Sequence, residues 1–553
     1  MNIFENMMIG TIIYFVIGIV VSALNYKLIT KRSEFPIHML QLEGYETEEY
    51  IKWVAENKAK MNKFVYEQAT EVKSPLVWTD RAKRLLKRHQ ATNIIFIAVI
   101  LIVGFVAFLI NPILGFAFLV LVNIILYYYQ YKVLEISNNK QVPVEEKINM
   151  GFYTNAQGKI RELKKDGLKV LGITGSFGKT SVKFISDTVL SEGLRVKNTP
   201  SSYNTPMGLS KVINNDLDKS YEVFIAELGA KKKGEIDEVA KLVQPDIGII
   251  TAIGPTHMHL FKTIETIQKT KYELIENLPE DGVAIFNYDN DYVKPLSDKT
   301  KIRTINYGIK DIEKLDVYAK NITVDENGSK FILGIREVGE IECESKLLGV
   351  HNISNLLASA CAGYVLGLSL EQLSRGIKKV EPVEHRLNIV DSGTGVIVID
   401  DAFNSNPVGF RAALDVLNEF KSGRKIIITP GMVELGDIEE EENEKVASEI
   451  AKVCDYVILV GPNRTKPIQR GLEKSGFNKE NTFVVESLTK ATEVLGRLTK
   501  PGDIVLFEND LPDNYSESWL GGKNGKYSSS FWWKICWTWS VSYNRNASCR
   551  KHG

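Results

Sequence analysis

Val170-Leu-Gly-Ile-Thr-Gly-Ser-Phe-Gly-Lys-Thr-Ser181 carries the strongest structural signal in the chain. An apolar run leads into a glycine turn, and Lys179-Thr180-Ser181 then opens a helix. Glycines at 175 and 178 let backbone N–H groups approach phosphate oxygens at a helix N-terminus, where the peptide dipoles favour negative charge. The nucleotide-binding set of this reading is Gly175, Ser176, Gly178, Lys179, Thr180 and Ser181. Lys179 would reach the β- and γ-phosphates, and the Thr180 hydroxyl would coordinate Mg²⁺. Strict Walker spacing places a glycine where Ile173 stands, so the strand before and the helix after supply the missing weight.

Outward from this motif the chain alternates apolar strands with helical segments from Lys132 onward, the pattern of an α/β protein. A second strand, Tyr221 to Glu227, ends in a carboxylate, where a phosphate-binding ATPase holds its metal-side acid. A third, Asp246 to Thr251, leads to His257. Singly, an acid at a strand end is an ordinary turn residue, His257 an ordinary surface histidine and Lys271 a solvated helix lysine. They gain meaning only as a set.

The composition bounds the rest. The 553 residues are 44% hydrophobic and 25% charged, and the 68 basic and 68 acidic side chains cancel. A zero balance removes the electrostatic footprint of a general nucleic-acid binder, so no nucleic acid is expected as a partner. The five cysteines show no C-x-x-C spacing, which argues against a zinc ribbon or disulfide scaffold and suits a reducing compartment.

The front of the chain is different. Asn6 to Tyr26 and His89 to Tyr131 contain no charge, and Asn111-Pro112 interrupts the second stretch. About 20 apolar residues span a hydrocarbon core. Residues 1–150 therefore read as a membrane anchor with spans at about 7–26, 92–110 and 112–131. Basic flanks put the 27–88 loop and everything after Lys132 in the cytoplasm. The expectation is a multi-pass cell-membrane protein with cytoplasmic catalytic domains and membrane lipid as a partner. A cleaved signal peptide for the first run and a buried hairpin for the second are the alternatives; Glu5 in place of a basic n-region argues against the former.

Read together, Thr174-Gly-Ser-Phe-Gly-Lys-Thr-Ser181, Glu227-Leu-Gly-Ala230, Lys233-Gly-Glu-Ile236, Ile250-Thr-Ala-Ile-Gly254 with His257, and Thr270-Lys-Tyr-Glu-Leu274 resemble the Mur ligase family. Gly349-Val-His-Asn-Ile-Ser-Asn355, Glu384-His-Arg-Leu387 and Ile399-Asp-Asp-Ala-Phe-Asn-Ser-Asn-Pro407 follow in the family's order. The match covers about residues 150 to 515 and is closest to the branch that adds D-alanyl-D-alanine to the peptidoglycan stem peptide.

The resemblance implies an α/β chain with a P-loop Mur-type central ATPase domain at 151–382 and a C-terminal Rossmann-like domain at 383–515, hinged near Pro382. It implies an ATP-dependent amide ligase acting through an acyl phosphate, with a muramoyl peptide precursor and D-alanyl-D-alanine as substrates and other cell-wall enzymes as candidate partners. Lys179, His257, Lys271 and Arg386 would be its catalytic residues. Thr180 and Glu227 would hold one Mg²⁺ and His257 would serve a second, with Lys271 carbamylated to give a further oxygen ligand. Asn355 would contact adenine and Asp401 the ribose. Thr199-Pro-Ser-Ser-Tyr-Asn204 reads either as a substrate-side loop or as a connector.

The chain departs from the family in three places. Residues 1–150 stand where the branch carries a domain gripping uridine diphosphate, Phe403 replaces a tyrosine, and Gly502-Asp-Ile-Val-Leu-Phe-Glu-Asn-Asp-Leu-Pro-Asp513 replaces a Lys-Gly-Ser turn. Three functions are therefore carried forward: the D-alanyl-D-alanine-adding ligase, a Mur-like ligase for another acceptor such as polyglutamate, and a nucleotide-binding membrane scaffold without ligase chemistry.

Five of the seven tryptophans lie in residues 516–553, whose only acid is Glu517. An aromatic membrane-interface patch is one reading of this tail. The other is a shifted reading frame, since Phe531-Trp-Trp-Lys534 can come from codons that, shifted by one base, read Phe-Gly-Gly-Lys, which faintly resembles the opening of a D-alanine:D-alanine ligase.

Overall fold

The computed structural model describes residues 3–61, 75–201, 203–402 and 405–511. Phe403, Asn404 and the 516–553 tail lie outside the described residues. The chain divides into two compact units, one through Met150 and one from Gly151 through Leu511.

The N-terminal unit is helical. Ile3–Arg32, Glu34–Leu42, Thr47–Glu56, Asp80–Ile110 and Pro112–Tyr128 are its main helices, and Gln130–Lys165 leads out of it. Asn111 makes the tight turn between two of them: its Oδ1 accepts from the N–H groups of Ile113 (2.9 Å) and Leu114 (3.3 Å), with Pro112 in the first turn. Ile37, Leu40, Tyr50, Leu85 and Leu134 form a core. Above it lies a buried polar layer in which His89 meets Ser33 (2.9 Å) and Asn93 (3.2 Å).

The multi-pass arrangement with three spans is corrected here. Among the described residues two single helices are long and apolar enough to cross a membrane, Met7–Leu42 and Asp80–Ile110. The third expected span is the 17-residue helix Pro112–Tyr128, which bends by 67° into Gln130–Lys165. The break at Asn111-Pro112 falls where the sequence puts it, but the helix after it ends at Tyr128, short of the roughly 20 apolar residues that a span takes.

The second unit holds two sheets. The first has nine strands: β1 (Lys169–Thr174), β2 (Val196–Asn198), β3 (Val223–Glu227), β4 (Ile247–Ile250), β5 (Val283–Asn287), β6 (Arg303–Gly308), β7 (Val317–Asp325), β8 (Gly328–Ile335) and β9 (Gly339–Ser345). Their order is β2-β3-β1-β4-β5-β6-β7-β8-β9, parallel as far as β7 and closed by an antiparallel β7-β8-β9 meander. β1 is buried on both faces, so it reads as a continuous apolar run rather than an alternation. Leu171 and Ile173 pack towards Val182, Ile353 and Leu357 on one face, while Val170 packs towards Leu209, Val239 and Leu274 on the other.

The second sheet contains β10 (Asn388–Asp391), β11 (Ile397–Asp401), β12 (Lys425–Thr429), β13 (Tyr456–Val460), β14 (Thr482–Val485) and β15 (Ile504–Glu508), in the order β10-β11-β15-β12-β13-β14. Only β10 is antiparallel to its neighbour. Parallel strands align their C-terminal ends on one edge of a sheet, which is where open α/β sheets bind ligands.

Candidate functional site

The register of the first sheet assembles the site. Ile173 pairs with Glu227 and Thr174 with Ile250, so the loops leaving β1, β3 and β4 emerge side by side. After β1 the glycine loop turns directly into the helix Lys179–Leu190. Gly178 adopts a φ of +84°, and a Cβ there would stand 3.0 Å from Asn355 Oδ1, so both backbone conformation and space call for glycine. The loop is clamped from the β4 side: Ser176 N donates to Ala252 O (2.7 Å), Ser176 Oγ exchanges hydrogen bonds with Gly254, and Thr251 Oγ1 donates to Phe177 O (2.6 Å).

Lys179 curls back over this loop, donating to the carbonyls of Gly175 (2.8 Å) and Ser176 (3.1 Å). Burial, together with the positive charge of Arg386, lowers its ammonium to about 8. Thr180 Oγ1 donates to Glu227 Oε1 at 3.0 Å, bringing together the two residues expected at one metal. Ser181 shares the same first helical turn. Asn355, on the helix Val350–Val365, donates to Asn352 Oδ1 (2.9 Å) beside the glycine loop.

Lys271 lies on the helix Ile264–Glu276 and is buried. Burial, with Lys179 as a second cation, pushes its ammonium down to about 7. His257 takes a left-handed backbone (φ +48°) at the end of the loop after β4, with Nδ1 2.5 Å from Glu434 Oε2. Met258 N donates to the Glu434 carbonyl (3.0 Å), so this loop is gripped by the segment after β12. No cluster of three or more His, Cys, Asp or Glu with metal-binding geometry occurs among the described residues.

The second sheet contributes Arg386 and Asp401. Arg386 is half-buried in the segment that leads into β10. Burial disfavours its charge while Asp401, Glu227 and Glu508 support it, so this cation lies within the electrostatic reach of the glycine-loop site. Asp401 Oδ1 accepts from Leu387 N (3.2 Å) at the C-terminal end of β11. Next to it, His385 Nδ1 pairs with Asp400 Oδ2 (2.7 Å), which raises the imidazole above its ordinary range.

Several residues of the site escaped the sequence reading. Lys183, one turn beyond Lys179, is fully buried and pairs with Glu227 Oε2 at 3.2 Å. It also donates to the Ser201 carbonyl, and Asn204 Nδ2 reaches Glu227 Oε1 (3.4 Å), so the 199–204 loop is tied to the acid. The only sequence signal for Lys183 is a cation on the same buried helix face as Val182, Ser186 and Val189. Glu434 carries no local signal. Glu508, within the stretch that replaces the Lys-Gly-Ser turn, is 1% exposed at the end of β15.

Residues 173–363 match the Mur ligase middle domain, and residues 385–508 match the "Mur ligase, glutamate ligase domain". The chain is similar to the UDP-N-acetylmuramoyl-tripeptide--D-alanyl-D-alanine ligase of Bacillus subtilis (strain 168), 31% identical over 349 residues that cover 63% of this chain and 74% of the relative. The enzyme of the same name from Mycobacterium leprae (strain TN) is 29% identical over 372 residues, covering 63% and 72%. Among solved structures, MurF from Acinetobacter baumannii superposes with a TM-score of 0.60 at 25% identity, covering 67% of this chain and 79% of that one. MurF ligase from Thermotoga maritima in complex with ADP gives 0.60 at 23%, covering 71% and 84%, a likeness of fold. None of these relatives' names describes a membrane protein, and among the described residues two rather than three single helices have spanning length and apolarity. The multi-pass cell-membrane localisation is withdrawn on both grounds.

Proposed function

The chain belongs to the Mur ligase family, and from that premise we propose that it is an ATP-dependent amide ligase joining D-alanyl-D-alanine to a UDP-muramoyl tripeptide through an acyl phosphate. The observation that carries this reading is the gathering of Lys179, Thr180 and Glu227 at one sheet edge, with Arg386 of the other sheet within electrostatic reach. In domain terms we assign a P-loop-type central domain to 151–382 and a Rossmann-like domain from 383 onward, with a hinge near Pro382.

In the first half-reaction an oxygen of the tripeptide carboxylate attacks the γ-phosphorus of ATP, the bond to the β-phosphate oxygen breaks, and ADP leaves. In the second, the unprotonated dipeptide amine attacks the acyl carbon, the amide bond forms and inorganic phosphate departs. The protein must therefore neutralise the phosphoryl group, keep water from the acyl phosphate and orient the amine.

Lys179 already sits over the phosphate-binding turn; its carbonyl partners are exchangeable for β- and γ-phosphate oxygens. Arg386 brings a second cation from the other sheet, so closure of the two domains completes the charge complement. The Thr180 hydroxyl and Glu227 carboxylate, 3.0 Å apart beside this turn, are hard oxygen donors suited to Mg²⁺, which takes few protein ligands and leaves the rest to water and phosphate. Bound there, Mg²⁺ would supply charge neutralisation of the transferring group. His257 and Lys271 are assigned to a second such site. Lys271 has no hydrogen-bond acceptor among the described residues, and with its ammonium at about 7 it is substantially a neutral amine near pH 7. A neutral amine is the form that adds to CO₂, which fits carbamylation. Asn355 is assigned to adenine and Asp401 to the ribose.

Phosphate release from ATP, measured with UDP-muramoyl tripeptide in the presence and absence of D-alanyl-D-alanine, tests the reading. Release that requires both substrates is expected. ATP binding without turnover on this pair would overturn the substrate assignment.

A further inference from the structure

Asp401 and Glu508 end neighbouring parallel strands as register partners, so their carboxyls stand side by side at the C-terminal edge of the second sheet. Ser405 Oγ donates to Glu508 Oε1, and Ser405 is itself fixed because its N–H donates to Asn509 Oδ1 (3.4 Å). Asn509 Nδ2 in turn donates to the Gly431 carbonyl (2.6 Å). Glu508 Oε2 is different: it is buried and receives no hydrogen bond from any described residue. Buried acceptors without a donor are rare, and two adjoining carboxylates in such a place repel.

The charges facing the pair do not relieve this. Among the described residues, Arg386 is the cation that acts on both carboxyls. Against it stand Asp400, which already pairs with His385; Asp510, whose charge acts on that histidine; and Glu227, which shares the influence of Arg386. A single proton between the two carboxyls resolves both problems, because it turns the orphan Glu508 oxygen into a donor and an Asp401 oxygen into its acceptor. The direction of both acidities agrees: burial, with the partner acid, raises Glu508 well above the ordinary range, and burial raises Asp401 to about 6.

We propose that Glu508 is a positioning residue: it carries the shared proton of a two-carboxyl pair and donates it to Asp401, holding Asp401 ready to accept a ribose hydroxyl of the bound nucleotide. The positioning role rests on the assignment of Asp401 to the ribose made above. Glu508→Gln keeps the shape and supplies an amide N–H to Asp401, whereas Glu508→Leu supplies no donor.

The test uses the full chain and ATP itself. ATP affinity is measured from pH 6 to 9, and the infrared band of a protonated carboxyl is recorded at pH 7. The wild-type protein should show the band and lose affinity at alkaline pH beyond any loss intrinsic to the nucleotide. Glu508→Leu should bind ATP about tenfold more weakly, as expected for a buried polar group stripped of its partner. Glu508→Gln should recover most of that loss, lack the band and lack the extra alkaline fall. An alkaline fall identical in wild type and Glu508→Gln would overturn the proposal. So would absence of the band at pH 7 with Asp401→Asn impaired, a result that leaves the ribose assignment standing. Unchanged ATP affinity in Asp401→Asn would instead remove the ribose assignment and the positioning role with it, even with the band in place.

Discussion

Replacing Lys183 by methionine removes the only cation that pairs with Glu227 among the described residues. In the native chain the lysine side chain is 0% exposed and the glutamate 1%, with 3.2 Å between Nζ and Oε2. Methionine preserves most of the stem volume, so the change is chiefly electrostatic. The carboxylate would keep Thr180 Oγ1 at 3.0 Å, Asn204 Nδ2 at 3.4 Å and the more distant charges of Lys179 and Arg386, but no cation in direct contact. Breaking a buried pair by removing one partner costs about 3–5 kcal/mol, because the remaining charge is left uncompensated. For a domain of 150–250 residues each kcal/mol moves the midpoint by about 2–4 °C, so the expected fall is roughly 6–20 °C. Thermal unfolding of the full chain, followed by near-ultraviolet circular dichroism, reads this directly. Adding Glu227→Gln to Lys183→Met should restore at least half of the loss, since the stranded charge is then gone. A single-variant shift below about 2 °C, the scale of a solvent-screened pair, would refute the reasoning. A large shift that Glu227→Gln fails to relieve would assign the loss to packing instead.

Three further outcomes are expected. Lys179→Met should lower turnover by about 100-fold or more, the usual effect of deleting one stabilising donor at a charge-developing centre, with ATP turnover as the readout. Lys271, lowered by burial to about 7, is increasingly neutral as pH rises through that value, so turnover should climb between pH 6 and 8 and depend on bicarbonate; equal rates in CO₂-depleted and bicarbonate-supplemented buffer would remove the carbamate. His385 is raised by its hydrogen bond to Asp400, so the stabilisation it brings is fully present below about pH 6.5 and is lost as pH rises through the higher folded-state value. An imidazole titration by NMR should therefore place His385 above its ordinary range in the wild type and lower in Asp400→Asn.

The sequence made the central site legible wherever function is written into local pattern. The glycine loop is readable because strand, turn and helix follow one another within 12 residues, and Glu227 because it closes an apolar strand. The partners that hold those residues were not readable. Lys183 looks like any lysine in a surface helix until Glu227 at the end of β3 and the Ser201 carbonyl meet its ammonium. Glu434 meets His257 only through tertiary folding. Glu508 is hidden for a related reason: in the sequence it stands only in a stretch that replaces a Lys-Gly-Ser turn, whereas in the structure it ends β15 and is buried. The front of the chain misled in another way. Asn111-Pro112 separates two helices as the sequence indicates, yet nothing in the uncharged run marks Tyr129, where the second helix ends short of a full span.

The most direct test of the central claim is isotopic. UDP-muramoyl tripeptide labelled with ¹⁸O in its terminal carboxylate is incubated with the protein, ATP and D-alanyl-D-alanine, and both products are analysed by mass spectrometry. An acyl-phosphate ligase must deliver one labelled oxygen to inorganic phosphate for every amide bond formed. Labelled phosphate appearing together with the UDP-muramoyl pentapeptide is the predicted result. Pentapeptide formed with unlabelled phosphate, or ATP consumed with no amide product, would contradict the account.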